Sequence, residues 1–459
     1  MQIKKIDVNK TLAIFLFAHL FIWTLVPSIS NNNLPLDTIE ALAWGSNLEW
    51  GFTKHPPLSA FSVKFFYEVF GNQDWAFYLL SQLFVVSAFF ITFKFSEDFI
   101  KNKFHCLISI FLLEGIYFYN FTTPEFNVNV CLLPFWSLTI YYFWKGLKKN
   151  DFVTWFLFGA FAALGVLSKY LFIYLLLAID LFFIYLIFNK KFNFKCLISL
   201  ISFFLVLIPH IIWLVDNNFI TFSYALHRTG LTETKLIDHF FNPSIFLLKQ
   251  ISILLPFFFM AAIILRKFKP KINFKEKKFL FLFIINIIPV FLILLTSLIS
   301  GAKIRTMWMT PFYLFYGVLL VYIFQNQIIL KRLKLFSIVF STLFLLSPLT
   351  YLYVSISQKD KRTDYLGKEI ANEVQIKWNN NFTNTIHSVI GDEWHAGNLS
   401  YHLPSNPKWY LHSTAFIDKS VDEFIEEIGK YGFIIVNGEC ANGVSFTIKN
   451  NQICMSGTK

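Results

Sequence analysis

The 459-residue sequence is short of charge: Asp, Glu, Lys and Arg make up only 15% of it. A soluble globular domain carries about 25%, so an ordinary water-exposed surface is excluded for most of the chain. Cysteine is also scarce. The five, Cys106, Cys131, Cys196, Cys440 and Cys454, fall at no spacing that suits a zinc or haem site. Low-complexity linkers and internal repeats are missing. The formal charge of +12 would suit a nucleic-acid binder, but its distribution does not. Up to residue 356 there are 30 Lys and Arg against 16 Asp and Glu; beyond it there are 10 against 12. The basic excess is confined to the most apolar part of the chain, which is the pattern of a topology signal, and no nucleic-acid partner is expected.

What the sequence has instead is hydrophobic residues, 56% of the total, with 59 phenylalanines. Apolar runs of about 20 residues recur, each long enough to cross a hydrocarbon core of about 30 Å. Lipid offers backbone groups no hydrogen-bond partner, so such runs are helices. Eleven spans are expected, at 11–29, 75–93, 104–120, 126–144, 152–168, 170–188, 197–215, 244–265, 279–298, 307–325 and 335–354. The first has no small-residue cleavage site and reads as a retained helix rather than a signal peptide. With a cytoplasmic N-terminus, 22 of the 30 basic residues before position 357 lie in inner segments. That orientation puts the C-terminal tail outside, periplasmic if the membrane is a bacterial inner membrane.

The expected fold class is therefore an all-α polytopic membrane protein with a small C-terminal α/β domain. The two parts are residues 1–356 and 357–459. The tail is polar and turn-rich; "GFIIVNG" suits a strand, and Val421, Phe424, Ile425 and Ile428 have helical spacing. Cys440 and Cys454 lie in this outer tail and can pair there. The other three cysteines act as small hydrophobes.

Two outer loops, about 30–74 and 216–243, are long, and long connections are often functional. In the first, Asp37 and Glu40 share a helix face. Thr38 to Trp50 and Leu58 to Phe70 suit amphipathic helices, joined by the basic turn Lys54-His55-Pro56-Pro57. Composition alone allows a plain surface helix with solvated carboxylates. Lys169 interrupts an apolar stretch, where a lysine is costly unless it meets a polar cavity or the interface. Arg228, Lys303 and Arg305 also fall on the outer side, and the four together can form a cationic pocket for a phosphate. Lys235 and Lys249 read as interface anchors. His210, His227 and His239 lack a metal-like spacing and read as satisfied or solvated. Asp180 falls mid-span, where a carboxylate is costly and often functional.

An acidic residue early in the first outer loop, then a basic residue and Pro-Pro about twenty positions later, resembles the GT-C polyprenyl-phosphate-sugar glycosyltransferases. The segment "DTIEALAWG…GFTKHPPLSAF" carries most of the likeness. "TTPEFNVN", "GVLSKYLF", "PHIIWLVDNNFITFSYALHRTG" and "GAKIRTMWMTPFYL" follow in order over about 1–325, and the likeness extends loosely into the tail at "GDEWHAGNLSYHLP". The branches it resembles are the lipid A aminoarabinose transferases, the rhizobial galacturonosyl transferases and the protein-mannosyltransferase-like group. The resemblance implies an inverting transfer from an undecaprenyl-phosphate sugar to lipid A or lipopolysaccharide core, with membrane lipids around the enzyme. It makes Asp37 catalytic and puts Glu125 where the family has a second acidic residue, commonly Asp. Glu40, Lys54, His55, Lys169, Arg228, Lys303 and Arg305 would bind donor phosphate or substrate. In the aminoarabinose branch the residue before Lys-Pro-Pro is acidic and associated with a metal. Here Lys54 and His55 stand there, so no cofactor is implied with certainty and a divalent cation remains open. A protein O-mannosyltransferase is the alternative acceptor class. A secondary transporter is the rival from another class, and Asp180 speaks for it. The transporter lacks support from matched repeats. A scaffold subunit would leave the outer acidic and basic residues without a purpose.

Overall fold

The computed structural model describes residues 7–229, 234–265, 267–411, 431–438 and 443–459. Helix α1 spans Val8–Ser30, and Asp7 caps it by accepting from the Asn9 and Lys10 amides. It buries Leu12, Phe15, His19, Trp23 and Pro27 and exposes Ile14, Phe17, Phe21, Leu25 and Ile29. Both stripes follow helical spacing and both are mainly apolar. In water the second would be a liability; in lipid it is the outer surface.

Two short helices precede the next long one: α2 (Leu36–Ser46) and α3 (Leu58–Phe70). Helix α3 has the bounds its periodicity predicts, while α2 stops at Ser46, short of Trp50. Helix α4 (Asp74–Ser96) is more than half buried and packs on α1. Then come α5 (Lys103–Phe111), α6 (Val128–Lys149), α7 (Phe152–Ser168), α8 (Ile173–Phe188) and α9 (Ile198–Asp216). Next are α10 (Ile220–Arg228), α11 (Asp238–Ile264), α12 (Lys277–Ser300), α13 (Tyr316–Phe324) and α14 (Leu333–Ser357).

Among the described residues, seven helices are long and apolar enough to cross a membrane. An eighth span forms if the bent pair Thr306–Tyr313 and Tyr316–Gln327 counts as one. The eleven expected stretches all carry helix, but not eleven uniform spans. The stretch 104–120 departs most. It is α-helical only to Phe111 and continues in 3-10 turns at Leu112–Gly115 and Tyr117–Tyr119. Its cause is local. A Cβ on Gly115 would lie 2.6 Å from the Phe257 backbone nitrogen, so α11 crosses there with no room for a side chain. The neighbouring Glu114 is buried 2.9 Å from His19 Nδ1 and accepts from Asn120 Nδ2 at 3.3 Å. Removing one partner leaves the other buried without its hydrogen bond, at a cost of about 1–3 kcal/mol. Asp180 lies on the exposed side of α8.

Beyond α14 the chain forms α15 (Gly367–Asn381), α16 (His395–His402) and a five-stranded sheet. Its strands are β1 (Ser388–Ile390), β2 (Lys408–Tyr410), β3 (Phe433–Val436), β4 (Val444–Ile448) and β5 (Asn451–Ser456), in the order β2-β1-β3-β5-β4. Strand β1 runs parallel to β2 and β3, while β5 runs antiparallel to β3 and β4. The strand expected at "GFIIVNG" is β3, buried along its length. The helix expected around Val421 to Ile428 and the pairing expected for Cys440 both fall outside the described residues.

Candidate active site

Asp37 lies in the first turn of α2, where unpaired amides and the helix dipole favour a carboxylate. Pro35 precedes the helix and supplies no side-chain cap. The cap comes from elsewhere: the Asp37 amide donates to Glu125 Oε1 at 3.0 Å. Thr38 Oγ1 donates to the Phe126 carbonyl at 3.2 Å, fastening the same two segments. Glu125 is thus first a remote cap that fixes where Asp37 points.

The segment around Glu125 does two further jobs. Asn127 caps α6, accepting from the Asn129 and Val130 amides. Asn129 Oδ1 then accepts from Lys169 Nζ at 2.6 Å. Lys169 sits at the break between α7 and α8, in extended backbone, and its amide closes α7 by donating to the Gly165 carbonyl. Phe172 leaves no room for a Cβ at Gly165, so the break is tight and Lys169 is turned into the protein. Its ammonium also lies 5.1 Å from the centre of the Trp308 ring. No carboxylate forms an ion pair with it among the described residues.

Electrostatics follow from this packing. Burial pulls Lys169 down to about 7, with Arg305 adding to the effect and Asp37 opposing it. Burial raises the Asp37 carboxyl, while Lys169, Lys54, Arg305 and Arg228 pull the other way. Glu125 is pushed up to about 8, first by burial and then by the Asp37 charge; Arg362 offsets this in part. Asp37 has four cations in reach and Glu125 is offset by one, so the proton held near neutral pH belongs on Glu125. Burial, Lys169 and Lys54 hold His55 at about 3, a neutral imidazole.

Lys54 is engaged on both sides. Its Nζ lies 2.8 Å from Glu40 Oε1 and 3.0 Å from Glu393 Oε1. Burial would lower Lys54, but the two carboxylates outweigh it and raise it. Burial raises Glu40 despite its lysine partner. Asp37, Glu40, Trp44, His55, Ser59 and Asn127 line one small pocket, with room for about one water molecule.

The structure therefore gathers Asp37, Glu40, Lys54, His55, Glu125 and Lys169 at one end of the bundle. Arg228 and Arg305 are exposed but within electrostatic reach of Asp37. Lys303 is exposed and joins this end through its amide, which donates to the Thr229 carbonyl at 3.3 Å. Asn127, Asn129, Trp308, Arg362 and Glu393 belong to the same neighbourhood and were not singled out from the sequence. The N-x-N at a helix start was the available signal for the first two. His210 is satisfied by Tyr170 Oη at 2.8 Å and the Trp50 carbonyl at 2.5 Å, and His239 by the Leu298 carbonyl at 3.0 Å. Among the described residues no three His, Cys, Asp or Glu side chains gather as metal ligands. The Lys54 ammonium fills the space between Glu40 and Glu393, so those two carboxylates do not fit a divalent cation.

Comparison with known proteins gives two findings. The dolichyl-phosphate-mannose-protein mannosyltransferase family matches residues 54–213, which include Lys54, Glu125, Asn129 and Lys169. The fold is similar to that of ArnT from Cupriavidus metallidurans bound to undecaprenyl phosphate, with a TM-score of 0.65 at 11% identity. That alignment covers 97% of this chain and 98% of the other. The apo form of the same protein aligns over the same shares, with a TM-score of 0.63 at 10% identity. No curated protein matches the chain by sequence. The whole-chain fold and the family match agree with each other: the chain has the polytopic GT-C-type fold seen in ArnT, and residues 54–213 match the mannosyltransferase family.

Proposed function

We propose that the chain transfers a sugar from a polyprenyl phosphate to a lipid-linked acceptor at the Asp37 end of the bundle, with inversion at the anomeric carbon. The observation that carries this reading is a carboxylate at a helix start, within electrostatic reach of a buried lysine that has no ion-paired carboxylate among the described residues. Lys169 offers its charge to an incoming anion, and Arg228, Lys303 and Arg305 extend the cationic wall. A donor phosphate satisfies that demand. The acceptor oxygen attacks the anomeric carbon, forming one C–O bond. The bond to the phosphate oxygen breaks, and polyprenyl phosphate leaves with the electron pair. Asp37 takes or orients the acceptor proton. Where the acceptor is itself a phosphate, it needs no strong base, and Asp37 then only orients it.

His55 lines the pocket as a neutral donor or acceptor for substrate hydroxyls. Glu40 and Lys54 shape the wall beside it. Glu125 holds the Asp37 backbone and, when protonated, spares the site a second negative charge. The acceptor we favour is lipid A or lipopolysaccharide core, and the donor lipid undecaprenyl phosphate, which is bound in the similar ArnT structure. The same reading makes 1–356 the catalytic unit and 357–459 a periplasmic unit, with the N-terminus in the cytoplasm of a bacterial cell. The distribution of basic residues supports that orientation. The family that matches residues 54–213 is named for a protein acceptor, so protein is the second acceptor class.

The test is mass spectrometry of lipid A and core from cells making wild type or Asp37→Asn at equal levels. A sugar-sized increment present only with wild type is expected. Its absence from both, with an increment on protein instead, would move the acceptor to the second class.

A further inference from the structure

Glu393 belongs to the turn before α16, far along the chain from the first loop, yet its carboxylate completes that loop's ion-pair network. One ammonium, Lys54, serves Glu40 from α2 and Glu393 from the C-terminal segment. The three side chains are largely covered, at 22%, 14% and 10% exposure. Coverage of this order limits the solvent screening that weakens exposed pairs.

The C-terminal segment is bolted to α2 at both ends, so Glu393 is delivered in a fixed place. Before α2, Asn33 Nδ2 donates to Asn398 Oδ1 at 2.9 Å, and Asn33 Oδ1 lies 3.0 Å from His402 Nε2. At the last residue of α2, Ser46 Oγ accepts from the Trp409 amide at 2.8 Å. Between them, a Cβ on Gly397 would come within 3.0 Å of the Ala43 Cβ, so the helices touch. Tyr401 Oη adds a bond to Asp74 Oδ1 at 2.8 Å, at the start of α4.

We propose that Glu393 is a positioning residue of the transfer reaction: with Glu40 it holds the Lys54 ammonium in place and so sets the charge that Asp37 feels. This rests on the reading of Asp37 given above. Asp37 is faced by Lys54, Lys169, Arg228 and Arg305, and by the carboxyls of Glu40 and Glu125. Glu393 acts on it through Lys54. Without the Glu393 charge, Lys54 is balanced by one carboxylate instead of two. Its field at Asp37 grows, the ionised carboxylate is favoured, and the acid limb of kcat/KM moves to lower pH.

The experiment measures transfer from a polyprenyl-phosphate sugar by the purified full-length protein. The variants are Glu393→Gln, Glu393→Asp, Lys54→Met and the double Glu393→Gln/Lys54→Met, with Asp37→Asn beside them. Expected are about a tenfold loss of kcat in Glu393→Gln with donor KM nearly unchanged, an acid limb displaced to lower pH, and recovery in Glu393→Asp. The double variant should be no worse than Lys54→Met. Unchanged activity in Glu393→Gln overturns the proposal. So does a loss that is uniform across pH, unrecovered by Asp and additive with Lys54→Met, since that is the mark of a structural role. Activity retained in Asp37→Asn would sink the site reading itself, and is separately visible.

Discussion

Two lysines face Asp37, and they are treated in opposite ways. Lys54, on the loop between α2 and α3, is clamped by two carboxylates at 2.8 and 3.0 Å. Lys169, at the break between α7 and α8, has an asparagine and a tryptophan ring. An ammonium with two acidic partners is already neutralised and serves to fix the wall it belongs to. An ammonium buried beside a neutral amide has given up solvation without an ion pair in return. It repays that cost when an anion arrives, and a lysine is easily shifted by such surroundings. On the proposed function, one lysine is architecture and the other is the place offered to a ligand charge.

The comparison is broken most severely at Lys169. Lys169→Met should lower kcat/KM for the donor by about 10²-fold, the order lost when one preorganised charge-stabilising group is removed. Steady-state kinetics with varied donor check it; a loss smaller than that of Lys54→Met would reverse the assignment.

A pH profile sharpens the contrast at intermediate cost. Lys169 is held at about 7, so its cation is present below that pH and lost above it. kcat/KM for the donor, which reports the free enzyme, should therefore fall as pH rises through about 7. Lys169→Arg should flatten that alkaline limb, because an arginine keeps its charge. Lys54, raised by its two carboxylates, contributes no limb in this range.

The smallest effect is expected at Glu125. Its carboxyl is pushed up to about 8 and is already neutral at pH 7. Glu125→Gln preserves an oxygen for the Asp37 amide and should change kcat by less than about threefold, within the range of a single hydrogen bond. A loss near that of Asp37→Asn, read in the same assay, would give Glu125 a charged role.

Much of this architecture was legible in the sequence, for a physical reason. Lipid leaves backbone only one solution per span, so apolar runs locate the helices almost directly. The amphipathic period of Leu58 to Phe70 and the buried run of β3 were readable on the same basis. What hydropathy missed were the places where tertiary packing overrides the local run. The stretch 104–120 breaks because α11 crosses at Gly115 and because Glu114 finds His19 across the bundle. Helix α2 ends early, where Ser46 turns its hydroxyl to the Ala43 carbonyl and accepts from Trp409.

The site was legible where charge is costly and illegible where it is not. Lys169 stands out because a charge in an apolar stretch demands an explanation, whereas Asp37 stands out only through the resemblance carried by its loop. Asn129 carries no charge and little hydropathy, yet it holds Lys169. Glu393 sits in a polar tail where a carboxylate is unremarkable, and only the folded chain brings it to Lys54.

The most direct measurement is release of free polyprenyl phosphate from a polyprenyl-phosphate sugar, with acceptor present, by purified wild type and Asp37→Asn. Wild type should release it with an equal amount of sugar appearing on the acceptor, and Asp37→Asn should be slower by about 10²–10⁴-fold. Equal release by the two proteins, or release without sugar on any acceptor, would contradict a transfer centred on Asp37.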